Sequence, residues 1–219
     1  MGVPRVLDHI VLAGPDLAAL VDGFERTTGV RAAPGGRHPS GTANALIAFS
    51  RGGERVRQYL ELIGPDAEAG WAAADVPRFG IAGLSAPRVA SFAIAPDDLD
   101  AAVAAARDAG LAYGDIEPLS RTTPDGRELA WRLGLPSDET EPPFLIDWGA
   151  TPHPALDDLP VLELVALRRL TREPDAERAR FAALGIEVGD GPDALQIAEA
   201  DGDGIELEVA VEGGTVVIR

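Results

Sequence analysis

The sequence predicts an α+β fold made of two tandem βαβββ modules, followed by a third, partial module at the C-terminus. A short apolar strand, a proline and an acidic helix cap occur in that order at residues 7–17 and again at residues 89–99. Each of the two helices that follow ends in a glycine and an aliphatic residue, Gly29-Val30 and Gly110-Leu111. A weaker third copy begins near Val161. A repeat of about 80 residues is too long for a solenoid and indicates a duplicated module.

The first module opens with a strand at Leu7–Leu12, which Gly14-Pro15 ends, and a helix at Asp16–Thr28. Side chains alternate between the two faces of a strand, so one face should lie under the helix. That face carries Ile10 and Leu12. The opposite face carries His9, Leu7 and Val11.

Three further strands should complete the first module. They are expected at Val30–Pro34, Asn44–Ser50 and Arg57–Ile63. The stretch 35–42, rich in glycine and proline, should form a loop that carries His38. An unpaired carboxylate under a helix is costly, so the favoured register turns Glu61 and Tyr59 to the face that carries His9.

The second module should follow a connector at residues 66–84, which has short helical potential at Ala67–Ala74. Its helix is expected at Asp97–Ala109. Its last three strands are expected at Gly114–Arg121, Arg127–Leu135 and Pro143–Trp148. In the strand at residues 127–135, the apolar residues at 129, 131 and 133 alternate with polar residues and should pack in the core. This register points Arg132 into the space that His9 and Glu61 face.

A linker that opens at Pro152-His153-Pro154 should lead to the third module. Its helix is expected at residues 174–184. Its strands are expected at residues 162–167, 195–199, 205–211 and 215–218. A half-barrel module buries its concave face poorly alone. We therefore expect it either to pair with its copy in a homodimer or to close against the first two modules.

Composition excludes several kinds of chemistry. The 219 residues include no cysteine and no lysine, which excludes disulfides, thiolate nucleophiles, Cys-ligated metals and Schiff bases. A formal net charge of −17 argues against a nucleic-acid partner. The sequence has neither a long apolar run nor a signal-peptide pattern, so we expect a cytoplasmic protein without a membrane partner.

Five segments in order resemble the glyoxalase-like domain family of the vicinal oxygen chelate superfamily. They are Leu-Asp-His-Ile-Val-Leu (7–12), Arg-His-Pro-Ser-Gly-Thr-Ala-Asn (37–44), Tyr-Leu-Glu-Leu-Ile-Gly (59–64), Ser-Arg-Thr-Thr-Pro-Asp-Gly-Arg-Glu-Leu-Ala-Trp-Arg-Leu (120–133) and Pro-Phe-Leu-Ile-Asp-Trp (143–148). The resemblance implies two modules whose sheets curl around one cavity. We therefore expect a glyoxalase-like domain at residues 1–155, with modules at about 5–65 and 88–150, and a third module at residues 156–219.

The resemblance also implies metal ligands on the first and last strands of each module. In the first module these are His9 and Glu61. The second module departs from the pattern, because Ser91 stands at the first ligand position and Ile146 at the last, beside Asp147. His9, Glu61 and Asp147 would make a weak site for a divalent ion such as Mn²⁺, Fe²⁺, Ni²⁺, Zn²⁺ or Mg²⁺. Without a metal, no cofactor is expected.

Two functions of different class follow from this resemblance. The first is a lyase, isomerase or dioxygenase of the glyoxalase type, in which His9 and Glu61 act on a small, oxygen-rich, anionic molecule. The second is a metal-free protein that binds or sequesters a small molecule on the same scaffold, and Ser91 supports it. Substrate contacts are expected from Arg132, His38, Asn44, Tyr59 and Trp148.

Each candidate also has a purely structural interpretation. His9 could be a hydrogen-bonded core residue, and Arg132 could pair with Glu128 or Glu61. For some residues the structural interpretation is the favoured one. These are His38 as a rim residue, Arg121 as part of a turn, His153 as a linker residue, and Trp131 and Trp148 as core residues.

Overall fold

The computed structural model describes residues 2–138 and 141–219, which form twelve β-strands and three α-helices. The strands are β1 Leu7–Ala13, β2 Ala33–Arg37, β3 Thr42–Arg51, β4 Glu54–Pro65, β5 Arg88–Ile94, β6 Tyr113–Thr122, β7 Glu128–Pro136, β8 Phe144–Asp147, β9 Val161–Thr171, β10 Gln196–Glu199, β11 Gly204–Val211 and β12 Gly214–Ile218. The helices are α1 Leu17–Thr28, α2 Leu99–Asp108 and α3 Pro174–Ala183. None of the described helices is long and apolar enough to span a bilayer.

The first eight strands close into a barrel. Their order around the ring is β3-β2-β6-β7-β8-β5-β1-β4, and β4 pairs back with β3. Both modules have the same internal order, β1-β4-β3-β2 and β5-β8-β7-β6, so the predicted duplication and the curled sheets are confirmed. The modules meet at β1–β5 through six residue pairs but at β2–β6 through the single pair Arg37 and Thr122.

The two helices of the barrel begin as the sequence predicts. The Asp16 carboxylate accepts a hydrogen bond from the Ala19 backbone N–H at 3.0 Å, and the Asp98 carboxylate accepts one from Ala101 at 3.0 Å. Each cap satisfies a backbone donor that the first helical turn leaves open. Gly29 then ends α1 with a φ of 77°, a conformation that glycine adopts at low cost.

Apolar side chains fill both faces of the barrel wall. On the outer face Ile10 and Leu12 pack with the residues of α1, and on the inner face Val11 packs with Tyr59 and other interior residues. The alternation predicted for β1 is therefore confirmed from residue 10 onward. Leu7 is the exception, because it lies in the outer core and not beside His9. A register irregularity against β5 between residues 7 and 9 reverses the alternation there.

The third module closes against the barrel, which is the second of the two arrangements expected from the sequence. Its strand β9 pairs in parallel with β3 at Val161–Glu163. Phe181 of α3 is fully buried and its ring centroid lies 6.1 Å from that of Phe92 on β5. Leu162 and Leu164 belong to the same core. The C-terminal strands therefore share one hydrophobic core with the first two modules.

Two local expectations are wrong in detail. The strand expected at Val30–Pro34 lies at Ala33–Arg37, so it takes in three residues of the predicted loop. Gly36 allows this, because a Cβ at that position would lie 2.4 Å from the carbonyl oxygen of Thr122 on β6. The connector forms three short 3-10 turns in place of a helix at Ala67–Ala74.

Candidate functional site

A cavity of about 60 Å³ lies inside the barrel. The first module contributes His9, His38, Ser40, Thr42, Asn44, Tyr59, Glu61 and Ile63. The second module contributes Leu119, Arg121, Trp131, Leu133, Phe144, Ile146 and Trp148, and the connector adds Arg78 and Phe79. Most of the polar groups therefore come from the first module, and most of the apolar wall comes from the second.

A buried carboxylate that the sequence analysis missed, Asp8, supports this site. It is 2% exposed and accepts hydrogen bonds from His9 Nδ1 at 2.7 Å, His153 Nε2 at 3.0 Å and Trp148 Nε1 at 3.1 Å. Burial alone would raise the pKa of Asp8, but the hydrogen bonds from the two histidines outweigh it and hold the pKa well below its usual range. Asp8 is therefore ionised at neutral pH.

His153 is part of this network, so the expectation that it is a linker residue is wrong. It is 2% exposed, and its Nδ1 accepts a hydrogen bond from the Ala155 backbone N–H at 3.2 Å. Its Nε2 therefore carries the proton that it donates to Asp8. Because ionised Asp8 can only accept, His9 donates from Nδ1, and its Nε2 faces the cavity.

The predicted pair of His9 and Glu61 is brought together in the cavity. The Oε2 atom of Glu61 lies 3.7 Å from His9 Nε2, and its Oε1 accepts a hydrogen bond from Asn44 Nδ2 at 2.5 Å. The ring of Tyr59 stacks on the ring of His9 with a centroid distance of 4.6 Å. These contacts hold the imidazole and the carboxylate side by side, within ion-pair distance of each other.

His38 lies at the rim of the cavity and is neutral. Its Nδ1 is 2.9 Å from the hydroxyl of Thr42. Burial is the main cause that lowers the pKa of His38 to about 4; the negative charge of Glu61 opposes this shift, and the positive charges of Arg121 and Arg78 add to it. At neutral pH the ring is therefore a hydrogen-bonding group without charge.

This pKa predicts a specific pH dependence of stability. Between the usual pKa of 6.5 and the folded value of about 4, the unfolded chain binds a proton that folded His38 does not. Acid in this range therefore favours unfolding, and the loss from this group should be about 1–3 kcal/mol. A His38→Gln variant should lose less stability than the wild type between about pH 7 and about pH 4.5 in urea unfolding. Equal losses in both proteins would contradict the assignment.

Arg121 also lies in the cavity, although the sequence assigned it to a turn. It is 4% exposed and donates a hydrogen bond from Nη1 to the carbonyl oxygen of Gly35 on β2. Within residues 2–138 and 141–219, no carboxylate lies within ion-pair distance of its guanidinium. The cavity therefore contains a buried cation without a carboxylate partner.

The expected positions of Arg132 and Asp147 are wrong. The Nη2 atom of Arg132 lies 2.7 Å from Asp147, and its Nη1 lies 2.8 Å from Asp100 of α2. Both side chains therefore lie on the outer face of the barrel, partly exposed beside the first turn of α2. The apolar neighbours Trp131 and Leu133 face the cavity instead, because the interior of this small barrel is itself apolar.

The donor set does not fit the metal centre that the resemblance implies. Ser91 is buried opposite Val11, and Ile146 places an aliphatic side chain on the cavity wall. Asp147 is turned away. In the described part of the chain, no group of three or more His, Asp or Glu side chains is placed to hold a metal ion. Of the three expected metal ligands, only His9 and Glu61 lie together in the cavity, and two ligands are fewer than a metal centre needs.

Comparison with known protein families identifies the family of this chain. A family model described as a glyoxalase-like domain matches residues 7–191. The chain belongs to this family. The match to the glyoxalase-like domain extends beyond residue 155 and includes α3. A comparison with curated proteins gave no match.

Several solved structures are similar to this glyoxalase-like protein at low sequence identity. A hypothetical protein from Staphylococcus aureus has a TM-score of 0.66 and 13% identity, over 97% of this chain and 98% of that chain. A mutant 4-hydroxymandelate synthase from Streptomyces coelicolor has a TM-score of 0.53 and 13% identity, over 98% of this chain and 63% of that chain. Methylmalonyl-CoA epimerase from Streptomyces coelicolor has a TM-score of 0.45 and 24% identity, over 70% of this chain and all of that chain.

Proposed function

We propose that this glyoxalase-like protein is an acid–base enzyme that moves a proton at a carbon next to a carbonyl group of a small, oxygen-rich molecule. The observation that carries the proposal is the buried series of Asp8, His9 and Glu61. Asp8 fixes Nδ1 of the imidazole, and Nε2 faces both the cavity and the carboxylate of Glu61. This arrangement supplies an oriented base and a second proton acceptor beside it.

The reaction follows from these positions. His9 Nε2 accepts the proton of the carbon, and the electron pair of the broken C–H bond moves onto the carbonyl oxygen to give an enolate. Ionised Asp8 stabilises the imidazolium that forms, because it accepts the Nδ1 hydrogen bond. Glu61 can take the proton from Nε2 and return it. Protonation at the same or at a neighbouring atom then gives the isomerised product.

The remaining cavity residues suit substrate binding. Burial raises the pKa of Tyr59 well above its usual value, with Asp8 and Glu61 adding to the shift, so its hydroxyl stays a donor. Asn44, His38 and Trp148 line the same space. A cavity of about 60 Å³ accommodates roughly four to six water-sized groups, so the enclosed part of the substrate is small.

Hydrogen–deuterium exchange tests this function. Pyruvate, 2-oxobutyrate and methylglyoxal should lose proton signal in D₂O when they are incubated with wild-type protein and EDTA, as followed by ¹H NMR. His9→Asn should lower the exchange rate at least ~100-fold, because the oriented base is lost. Asp147→Asn, on the outer face of the barrel, is the matched control and should exchange at the wild-type rate.

Two results would count against this mechanism. If no compound of the panel exchanges, or if His9→Asn exchanges as fast as the wild type, His9 is not the base. Exchange that requires added Mn²⁺ would favour the metal-dependent lyase, isomerase or dioxygenase expected from the sequence.

A binding or sequestering role is the second candidate. It is supported by the second module, where Ser91 and Ile146 replace the ligand positions of the first and contribute no ionisable group. Pyruvate that raises the unfolding temperature of the protein without any deuterium exchange would favour this candidate.

A further inference from the structure

We infer that the cavity is a carboxylate-binding site in which Arg121 holds the carboxylate, so that the ligand is a small monocarboxylate with an oxygen on the next carbon. The statement about the reacting carbon rests on the proposed function, whereas the binding site rests on the surroundings of Arg121 alone.

The two buried arginines of the described chain differ in their counter-charges. Arg169 is 8% exposed, and its Nε and Nη2 donate to the carboxylate of Glu177 at 3.0 and 2.9 Å. Arg121 is 4% exposed and donates to a backbone carbonyl, that of Gly35. Burial of an uncompensated cation is costly, and an anion beside it removes much of that cost. Because Arg121 lines the cavity, an anionic ligand can reach it.

The chemistry of the guanidinium favours a carboxylate. Only Nη1 of Arg121 is engaged by Gly35, so Nε and Nη2 remain as the fork that binds the two oxygens of a carboxylate. Because Arg121 has no carboxylate within ion-pair distance, a ligand with a single negative charge compensates its guanidinium. The size of the cavity, about 60 Å³, suits an acid of roughly three or four carbons.

The position of Arg121 sets the direction in which the ligand lies. Arg121 donates to Gly35, and a Cβ at Gly35 would lie 2.2 Å from Asn44 Oδ1. The amide nitrogen of Asn44 in turn donates to Glu61, which lies beside His9. These contacts run along the barrel wall through β2, β3 and β4, and they connect β6 with β1, the strand opposite it in the eight-stranded ring. A ligand with its carboxylate on Arg121 extends its next carbons toward Glu61 and His9, as in a 2-oxo or 2-hydroxy acid.

A binding experiment with matched ligands and variants tests this site. Pyruvate and its neutral amide, pyruvamide, are titrated into wild type, Arg121→Gln, Arg121→Lys and Arg132→Gln at neutral pH, and binding is followed by ligand-observed NMR. Arg132 is the matched control, because its guanidinium pairs with Asp147 and Asp100 outside the barrel. Arg121→Gln should weaken pyruvate binding about 30-fold or more, and Arg121→Lys should weaken it less. Arg132→Gln should bind like the wild type.

The ligand comparison keeps the test valid if a variant fails to fold. Wild-type protein should bind pyruvate at least about 10-fold more tightly than pyruvamide, since only the carboxylate compensates the guanidinium. Absence of pyruvate binding, equal binding of the two ligands, or tighter binding of inorganic phosphate than of pyruvate would overturn the inference. Unchanged pyruvate binding in folded Arg121→Gln would also overturn it.

The deuterium-exchange assay separates this inference from the proposed function. If pyruvate binds through Arg121 but does not exchange, the carboxylate site stands and the acid–base function fails. If exchange depends on His9 but not on Arg121, the function stands and the carboxylate site fails.

Discussion

Asp8→Asn should lower the free energy of unfolding by about 3–5 kcal/mol and abolish deuterium exchange. The variant keeps the size of the side chain but replaces an acceptor oxygen with an NH₂ donor. That group then faces a ring N–H of His9 or His153, both of which donate to Asp8 in the folded protein. Urea unfolding at neutral pH measures the change, and the exchange assay measures the loss of the oriented base.

The matched control for this prediction is Asp147→Asn. Asp147 also carries a carboxylate bound to a cation, but its partner Arg132 is 43% exposed in its side chain, so the change should cost about 0–1 kcal/mol. The hydrogen bonds hold the pKa of Asp8 below its usual value of 3.8, so its stabilisation is complete above about pH 4 and is lost only as the pH falls further. Similar losses in the two variants would show that the buried network contributes little.

Phe181→Ala should cost about 3–5 kcal/mol, because it removes a fully buried ring from the interface between α3 and the barrel. Since the third module shares its core with the barrel, unfolding of both wild type and variant should remain a single transition. Calorimetry and urea unfolding followed by tryptophan fluorescence measure the cost and the number of transitions.

Leu156→Ala is the control for this core prediction, because Leu156 is 69% exposed and should be replaceable within about 0.5 kcal/mol. A second, earlier transition in the Phe181→Ala variant would mean that residues 156–219 unfold as an independent unit.

The modules were predictable because the residues that begin and end their helices act through local contacts. Asp16 and Asp98 cap the helices, and Gly29 ends the first helix, through contacts within a few residues of the chain. The pairing of His9 with Glu61 was also predictable, because an acid between two leucines has only one cheap orientation.

The orientation of β7 could not be derived in the same way. Leu129, Trp131 and Leu133 alternate with polar residues, which predicts that they share a buried face. In a closed barrel the inner face is buried by side chains and the outer face by helices, so alternation alone does not distinguish them. In the structure the apolar residues of β7 lie on the inner face, and Arg132 and Asp147 therefore lie on the outer face.

The missed residues of the site have a common cause. Asp8 is turned toward the His9 network by an irregularity in β1, His153 lies between two prolines, and Arg121 lies just before a turn. Each acquires its role from partners more than eighty residues away or from a local departure from regular pairing. The periodicity of the sequence predicts neither distant partners nor local departures from regular strand pairing.

The single residue pair that joins β2 to β6 has a kinetic consequence. Opening the ring there breaks one backbone pair and the contact from Arg121 to Gly35, whereas opening it at β1–β5 breaks six pairs. Among the described residues, the junction between β2 and β6 has the fewest backbone pairs in the ring, so we expect the ring to open there most readily. Arg121 lies next to this junction on β6, so we expect local opening of the junction to release a ligand bound to Arg121.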